Sequence, residues 1–230
     1  MPPRPGAVSG SGAISIAILG GLGTGPIIAE GIRDMARAGG AIDCIGLLND
    51  REPPGARHAG LKVLCGFDDW RDLPPSVQFI HALHKAKEAQ ARKARLDGLG
   101  IPLPRFARVV HPTAVVAESA SIGPGSYLGP NVVVMPHAVI GAHVSARAGC
   151  YISHDVRVGD FCFVGPNAVL NGRCEIGAGG HVGPGAVVRD EIKVGAFAVV
   201  GFASAAVRDV AAFEVVMGVP ARRVERLAPG

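Results

Sequence analysis

The sequence has 230 residues, of which 48% are hydrophobic and 5% aromatic, and it carries a formal net charge of +4. This length allows two modest domains, and no apolar run approaches the roughly 20 residues of a membrane-spanning helix. The basic residues are scattered and are not interleaved with aromatic ones. The composition therefore argues against nucleic-acid binding and suits attraction of an anionic small substrate or cofactor.

Residues 1–12 are rich in Pro, Gly and Ser and lack the apolar core of a signal peptide. We predict that they form a disordered tail on a cytoplasmic protein. The five cysteines do not indicate a disulfide framework in a chain of this size.

Strand and helix patterns alternate over residues 13–107. Strands are predicted at 14–19, 42–48, 63–66 and 77–83, and helices at 26–38 and about 85–99. This alternation predicts a small parallel sheet with helices on its faces, that is, a Rossmann-like α/β domain.

A glycine-rich turn follows the first strand and opens the first helix. It reads Gly20-Gly21-Leu22-Gly23-Thr24-Gly25, and its backbone N–H groups could hold a diphosphate at the helix N-terminus. A tight turn alone would also explain these glycines. Asn49 and Asp50 follow the second strand, where a ligand site and a solvated turn are both possible.

A six-residue period runs without interruption from Val110 to Ala205. Every sixth residue is Val, Ile or Leu except Ala146, and the residue after it is often glycine. Such a period is typical of a parallel β-helix, in which three hexads form one triangular coil. We therefore predict a β-helix domain over residues 108–205, followed by a C-terminal cap over 206–230 that covers the open strand edge.

Small residues occupy a second position of each hexad, and three of them are cysteines. Cys150, Cys162 and Cys174 are spaced by twelve residues, which puts them on three different faces of a coil of eighteen. We interpret them as inward core fillers rather than as metal ligands.

One polar group at a predicted corner of the β-helix stands out. Gly172 lies eighteen residues after His154, so the imidazole and the glycine N–H share a corner and could flank a reacting carbonyl as base and donor. An exposed corner histidine without a role is the alternative. The same spacing puts His137 below Asp155, where a hydrogen bond could fix an imidazole tautomer, and His181 above Phe163 as a second candidate.

The repeat resembles the hexapeptide acyltransferases. The motifs that carry the resemblance are residues 153–159 (SHDVRVG), 164–166 (VGP) and 218–222 (GVPAR). The two-domain layout is similar to that of the sugar-nucleotide N-acetyltransferases of the bacillosamine and perosamine pathways and their sialic-acid O-acetyltransferase relatives. This resemblance implies a left-handed β-helix, a homotrimer, and acetyl-CoA bound in the groove between two prisms.

The resemblance also implies roles for individual residues. His154 is the general base, Asp155 supports it, and Gly172 donates its N–H to the thioester carbonyl. The implied acetyl-CoA contacts are Gly172, Phe163, His181, Gly183, Pro220 and Arg222. The implied contacts to the nucleotide-linked sugar are Gly21, Gly23, Thr24, Gly25, Asn49, Asp50 and His84. No metal is implied.

Four positions depart from the pattern of that family. Thr24 stands where a histidine is common, Asn49 replaces an acidic residue, and His84 stands where a glycine is usual. Phe163 stands where the family often has a second histidine near the thioester. The role of that second histidine is unfilled unless His181 takes it over. The base or sugar recognised is therefore expected to differ from that of the best-known members.

We predict an acetyl-CoA-dependent N-acetyltransferase that acts on the amino group of a nucleotide-linked amino sugar of the 4-amino-4,6-dideoxy type. The alternatives are a sugar O-acetyltransferase and a non-catalytic, sugar-nucleotide-binding β-helix protein. A carbonic-anhydrase-like metal site would need histidines that converge across a subunit boundary, and the spacings single out no such set.

Overall fold

The computed structural model describes residues 13–21 and 23–229, so the tail predicted for residues 1–12 lies outside the described residues. The strands of the N-terminal part are β1 (Ile14–Leu19), β2 (Ile42–Leu48), β3 (Arg57–His58), β4 (Leu61–Cys65) and β5 (Gln78–His81). Its helices are α1 (Gly25–Arg37) and α2 (Ala89–Gly98), and short 3₁₀ helices lie at Asp68–Asp72, Ala86–Glu88 and Leu103–Arg105.

The N-terminal strands form one sheet in the order β3-β4-β2-β1-β5. All pairs are parallel except the β3–β4 hairpin. Ile16 to Leu19 of β1 are completely buried, as expected of a central parallel strand that is covered on both faces. The strand predicted to reach Leu83 ends at His81, because the Leu83 N–H turns back and donates to His81 Nδ1 at 3.3 Å.

Two-residue strands repeat through the second part of the chain. They are β6 (Val109–Val110), β7 (Val115–Val116), β8 (Ser121–Ile122), β9 (Tyr127–Leu128), β10 (Val133–Val134), β11 (Val139–Ile140), β12 (Ser145–Ala146), β13 (Tyr151–Ile152), β14 (Arg157–Val158), β15 (Phe163–Val164), β16 (Val169–Leu170), β17 (Glu175–Ile176), β18 (His181–Val182), β19 (Val187–Val188), β20 (Lys193–Val194), β21 (Val199–Val200) and β22 (Ala205–Ala206). The longer strands β23 (Glu214–Met217) and β24 (Arg222–Arg226) follow them.

These strands stack into three sheets, which are the faces of a triangular prism. The first face contains β6, β9, β12, β15, β18, β21, β23 and β24; the second contains β7, β10, β13, β16, β19 and β22; the third contains β8, β11, β14, β17 and β20. Stacked strands pair in parallel at a spacing of one coil, as in Tyr151 with Val169. The predicted fold class, a Rossmann-like α/β domain followed by a left-handed parallel β-helix, is confirmed.

The interior of the prism is filled by the second residue of each strand and by the small residue before the next strand. Cys150, Cys162 and Cys174 have no exposed surface, which confirms their prediction as inward core fillers. Burial raises the pKa of each of these thiols to about 12. They are therefore protonated near neutral pH and poorly suited to act as nucleophiles.

Three corners join the faces, and each is named after one of its residues. The His154 corner (residues 153–156, 171–174 and 189–192) joins the second and third faces, the Phe161 corner (141–144 and 159–162) joins the third and first, and the Gly165 corner (147–150 and 165–168) joins the first and second. The coils stack closely at these turns. A Cβ on Gly165 would lie 2.5 Å from the backbone nitrogen of Pro184, so the stacking requires glycine there.

The N-terminal part packs on the first face and on the Phe161 corner. Helix α1 approaches so closely that a Cβ on Gly31 would lie 3.0 Å from the ring of Tyr127. Phe161 is 1% exposed and packs in a cluster with buried residues of the α/β part, among them Phe79 and Phe106. The two parts therefore share a hydrophobic interface.

After β22 the six-residue period ends. Strand β23 pairs in parallel with β21 and in antiparallel fashion with β24, so the edge of the first face is extended by a hairpin. Among the described residues, no helix has the length and apolar character needed to cross a membrane.

Candidate active site

His154 lies on an exposed turn of the prism and is held by its sequence neighbour. Its Nδ1 is 2.8 Å from Oδ2 of Asp155, and the two side chains are about half exposed. This hydrogen bond holds the pKa of the Asp155 carboxyl below its usual range. When Nδ1–H donates to the carboxylate, Nε2 carries the lone pair and is free to accept a proton.

Gly172 lies beside that free nitrogen, as the spacing of one coil predicts. A Cβ on Gly172 would be 2.7 Å from His154 Nε2 and 3.4 Å from Oδ1 of Asp190. Its own N–H donates to no atom of the described chain. The corner thus brings a base and a free backbone donor close together.

The hydrogen bond suggested between His137 and Asp155 is not formed. The Asp155 carboxylate bonds to His154 instead, while His137 contributes only a favourable charge interaction that lowers the pKa of Asp155. Asp155 has a left-handed φ of 58°, which a short polar side chain tolerates well. That turn directs the carboxylate back to the preceding ring.

A cavity of about 460 Å³ lies in the N-terminal part, at the carboxyl ends of β1, β2 and β5. Its lining residues are Gly20, Gly21, Gly23, Thr24, Asn49, Asp50, Arg51, Phe67, Ala82, Leu83, His84, Arg92 and Arg95. Most of the predicted sugar-nucleotide contacts are therefore brought together. This edge of an open α/β sheet is where such folds bind ligands.

The glycine-rich turn shapes one wall of this cavity. Gly21 has a φ of +75°, and a Cβ there would lie 2.2 Å from Cβ of Ala82, so close packing already requires this glycine. A Cβ on Gly23 would meet nothing within 4 Å. Gly25, predicted as a ligand contact, does not line the cavity: it is the buried first residue of α1 and faces Leu47.

Asn49 and Asp50 organise the opposite wall. Asn49 is 6% exposed and its Oδ1 accepts a hydrogen bond from the Arg51 N–H at 2.8 Å. Asp50 Oδ1 accepts from the Phe67 N–H at 2.7 Å. Both residues line the cavity, and both also hold the loop that forms it. Asn49 is thus buried and not part of a solvated turn, and the ligand site stays a prediction.

Basic residues of α2 line the cavity and were not predicted. Arg92 pairs with Glu88 at 2.8 Å, and Arg95 pairs with Asp68 at 3.0 Å. The basic residues of positions 85–95 indicate a positively charged helix. The sequence does not show that the side chains of Arg92 and Arg95 turn towards the glycine-rich loop. They make the cavity suited to anionic ligands.

His84 lies between the cavity and the β-helix. Its ring stacks on His81 and contacts Phe161, both at 4.8 Å between centroids, and its Nε2–H donates to the His143 carbonyl oxygen at 3.0 Å. Burial lowers the pKa of His84 to about 3 and that of His81 well below its usual value. Both rings are therefore neutral at physiological pH.

These depressed values predict that the fold becomes less stable in acid. An unfolded histidine titrates near pH 6.5, so below that pH the unfolded chain binds protons that folded His84 does not. Stability is full above about pH 7.5 and falls as the pH drops through 6.5 towards the folded pKa of about 3. We expect His84 alone to cost up to about 2 kcal/mol at pH 5, measured by urea unfolding at pH 8 and pH 5.

The control for this prediction is His84→Gln, because glutamine is polar but its side chain does not titrate between pH 5 and pH 8. Its loss of stability between pH 8 and pH 5 should be smaller than that of the native protein. Equal losses in both proteins would contradict the assignment to His84.

The predicted acetyl-CoA contacts lie apart from His154 in a single chain. Phe163 and His181 stack on the first face with ring centroids 4.5 Å apart, and burial lowers the pKa of His181 to about 4. Gly183 is on the Gly165 corner, and Pro220 and Arg222 are exposed near the C-terminal hairpin. The structure brings His154, Asp155 and Gly172 together, but it does not bring the other contacts to them.

The family model for the bacterial transferase hexapeptide (six repeats) matches residues 137–172 and 155–190. The middle of the β-helix therefore carries the hexapeptide repeat of the bacterial transferases. The matched residues include His154, Asp155 and Gly172. No curated protein sequence matches the chain.

Solved structures resemble the chain over both of its parts. The acetyltransferase domain of PglB from Neisseria gonorrhoeae FA1090, in complex with acetyl coenzyme A, is 28% identical; the match covers 93% of this chain and 100% of that one, with a TM-score of 0.79. PerB from Caulobacter crescentus, in complex with CoA and GDP-perosamine, is 23% identical over 94% and 99%, with a TM-score of 0.77. WeeI from Acinetobacter baumannii AYE is 23% identical over 91% and 99%, with a TM-score of 0.68.

In the described part of the chain, no group of three or more His, Cys, Asp or Glu side chains is arranged to hold a metal ion.

Proposed function

We propose that the protein is an acetyl-CoA-dependent N-acetyltransferase that acts on the amino group of a nucleotide-linked amino sugar. The observation that carries this proposal is the geometry of the His154 corner. Asp155 holds Nδ1 at 2.8 Å, and the backbone of Gly172 lies close to Nε2. Support also comes from the PglB domain, whose structure is a complex with acetyl coenzyme A.

The corner supplies what direct acyl transfer to an amine needs. His154 Nε2 accepts the proton that the amine loses as its nitrogen attacks the thioester carbonyl. The Gly172 N–H donates to the carbonyl oxygen, where negative charge develops. A C–N bond forms, the C–S bond breaks, and CoA leaves as the thiol after protonation. No enzyme nucleophile is required, in agreement with the buried, protonated cysteines.

The cavity of the N-terminal part suits the nucleotide half of the acceptor. The open turn at Gly23 and Thr24 precedes the N-terminus of α1, where backbone N–H groups favour phosphate oxygens. Arg92 and Arg95 add positive charge on the other side. Asn49 and Asp50 are the proposed nucleoside contacts. The PerB structure contains GDP-perosamine, a nucleotide-linked amino sugar.

The site needs a second copy of the chain, and we propose a homotrimer. The His154 corner joins the second and third faces, so it lies opposite the first face, on which the cavity-bearing part is packed. The outward column of the second face is apolar and includes Val115 and Val187, which are 62% and 38% exposed. The rest of that column is Val133, Tyr151, Val169 and Ala205. If the second face of each prism packs against a neighbouring prism, the His154 corner of one chain can meet the cavity of the next chain.

The test is release of the CoA thiol from acetyl-CoA in the presence of UDP-, GDP- and dTDP-linked amino sugars, the 4-amino-4,6-dideoxy sugars first. We expect release with one of them and an acetamido product by mass spectrometry. Matched sugars with a hydroxyl in place of the amine should be inactive. Release only with the hydroxyl sugars would establish O-acetylation instead, and failure to bind acetyl-CoA would overturn the proposal.

A further inference from the structure

Arg147 is a buried guanidinium without a carboxylate partner. It is 7% exposed, and its one hydrogen bond within the described chain runs from Nη1 to Ser145 Oγ at 3.5 Å. Burying an unpaired charge is costly, and here burial lowers the pKa of the guanidinium. The cavity arginines differ, because Arg92 and Arg95 are more exposed and are paired with carboxylates.

The β-helix itself does not require an arginine at this position. Arg147 stands on the Gly165 corner, and the residues one coil below and one coil above it are Gly129 and Gly165. The side chain lies back over the first face, with its Cζ 5.5 Å from the Tyr127 ring centroid. It therefore occupies the boundary between the prism and the N-terminal part.

The guanidinium is close to the cavity and keeps free donors. Ser145, which accepts its hydrogen bond, pairs with Phe163 on the neighbouring strand. The Phe163 ring centroid is 6.0 Å from that of His84, which lines the cavity. Among the described side chains, the fully buried nitrogens without a hydrogen-bond partner are His81 Nε2 and His143 Nδ1. No nitrogen of Arg147 is in that group. The unbonded N–H groups of Arg147 are thus still reached by solvent, and so by a ligand.

We propose that Arg147, assisted by Ser145, binds a carboxylate on the acceptor sugar. A guanidinium presents two parallel donors that match a carboxylate, and the Ser145 hydroxyl, which accepts from Arg147, still has its own proton to donate. Because the glycine-rich turn is proposed to hold the nucleotide diphosphate, we assign the anion beside Arg147 to the sugar. The phosphates of acetyl-CoA are a second source of negative charge, and the titration below is run without CoA to test the sugar alone. The acceptor is then a nucleotide-linked amino sugar acid.

This inference rests on the proposed function and sharpens it. A carboxylate at C6 would stand where a 4,6-dideoxy sugar has its methyl group, and the expectation of such a sugar stays a prediction. The amino acceptor, the nucleotide and the role of His154 are unaffected.

The experiment is isothermal titration of the intact protein with two matched pairs of ligands, UDP-glucuronate with UDP-glucose and GDP-mannuronate with GDP-mannose. Each pair differs in the sugar carboxylate alone. We expect the acid of at least one pair to bind about tenfold or more tightly than its neutral partner. In Arg147→Met that ratio should fall to about one, with the neutral sugar bound as before. Arg147→Lys keeps the charge but loses the two parallel donors of the guanidinium, so it should give an intermediate ratio of the two affinities.

Arg108→Met is the matched control, because Arg108 is exposed and lies outside the cavity. A preference for the acid that survives in Arg147→Met would overturn the inference. Binding of the nucleotide sugars without any such preference would overturn it and leave the proposed function standing. Failure of both acids to bind would overturn the inference, and the CoA thiol release test decides the proposed function separately. The oligomer of Arg147→Met could instead dissociate, as seen by light scattering, while the ratio of the affinities for acid and neutral sugar stays unchanged. That outcome would overturn the inference and assign Arg147 to a carboxylate of a partner subunit.

Discussion

Replacing His154 with alanine is expected to lower turnover by at least about 100-fold. The substitution removes the ring nitrogen that accepts the proton of the attacking amine, and no other imidazole of the same chain takes its place beside Gly172. The side chain is about half exposed, so its loss should leave the fold and the assembly intact. The measurement is CoA thiol release at saturating acetyl-CoA, with melting temperature and molar mass recorded for each variant.

His137→Ala is the matched control for this prediction. His137 belongs to the same edge of the prism, one coil below Asp155, and makes no hydrogen bond to that carboxylate. We expect its turnover to stay close to that of the native protein. Near-native turnover in His154→Ala would refute the assignment of the base, whereas an equal loss in both variants would point to a general disturbance of the corner.

The β-helix and the geometry of the His154 corner could be predicted from the sequence because the repeat fixes the register. Once every sixth residue is known to point inward, a separation of eighteen residues means direct stacking, as it does for Tyr151 and Val169. The proximity of His154 and Gly172 followed from this spacing alone. It needed no knowledge of side-chain packing.

The contacts between the two parts of the chain could not be predicted in the same way. The stack of His81, His84 and Phe161 joins residues of the α/β part to a corner of the prism, and no periodic pattern links them. Burial of Arg147 depends on the same docking. A corner arginine reads as an exposed side chain until the N-terminal part is placed over the first face.

The bonding within the site was also beyond the sequence. The spacing put His137 and Asp155 together, yet the carboxylate turns to its neighbour His154, because a positive φ at Asp155 sets its direction. Likewise, the glycine-rich turn was recognised as a unit, while Gly25 belongs to the packing of α1 against Leu47. Local backbone geometry decides such details, and a motif does not encode them.

Gly172→Ala is expected to lower turnover by about as much as the loss of His154 itself, on the order of 100-fold, with little change in stability. The added Cβ would lie 2.7 Å from His154 Nε2 and 2.9 Å from its Cε1, closer than van der Waals contact allows. Because the imidazole is at the exposed end of a flexible side chain, it can move away and spare the fold. Alanine retains the backbone N–H, so the loss would arise from displacement of the base and not from loss of the donor.

A double-mutant cycle separates this explanation from a direct role of the methyl group. If Gly172→Ala acts by displacing the imidazole, adding it to His154→Ala should cost little further turnover, because the group it displaces is already absent. If the fold-loss of turnover in the double variant equals the product of the two single fold-losses, the methyl group blocks the thioester independently of His154. Gly98→Ala is the control, since a Cβ there meets nothing within 4 Å, and it should leave turnover unchanged.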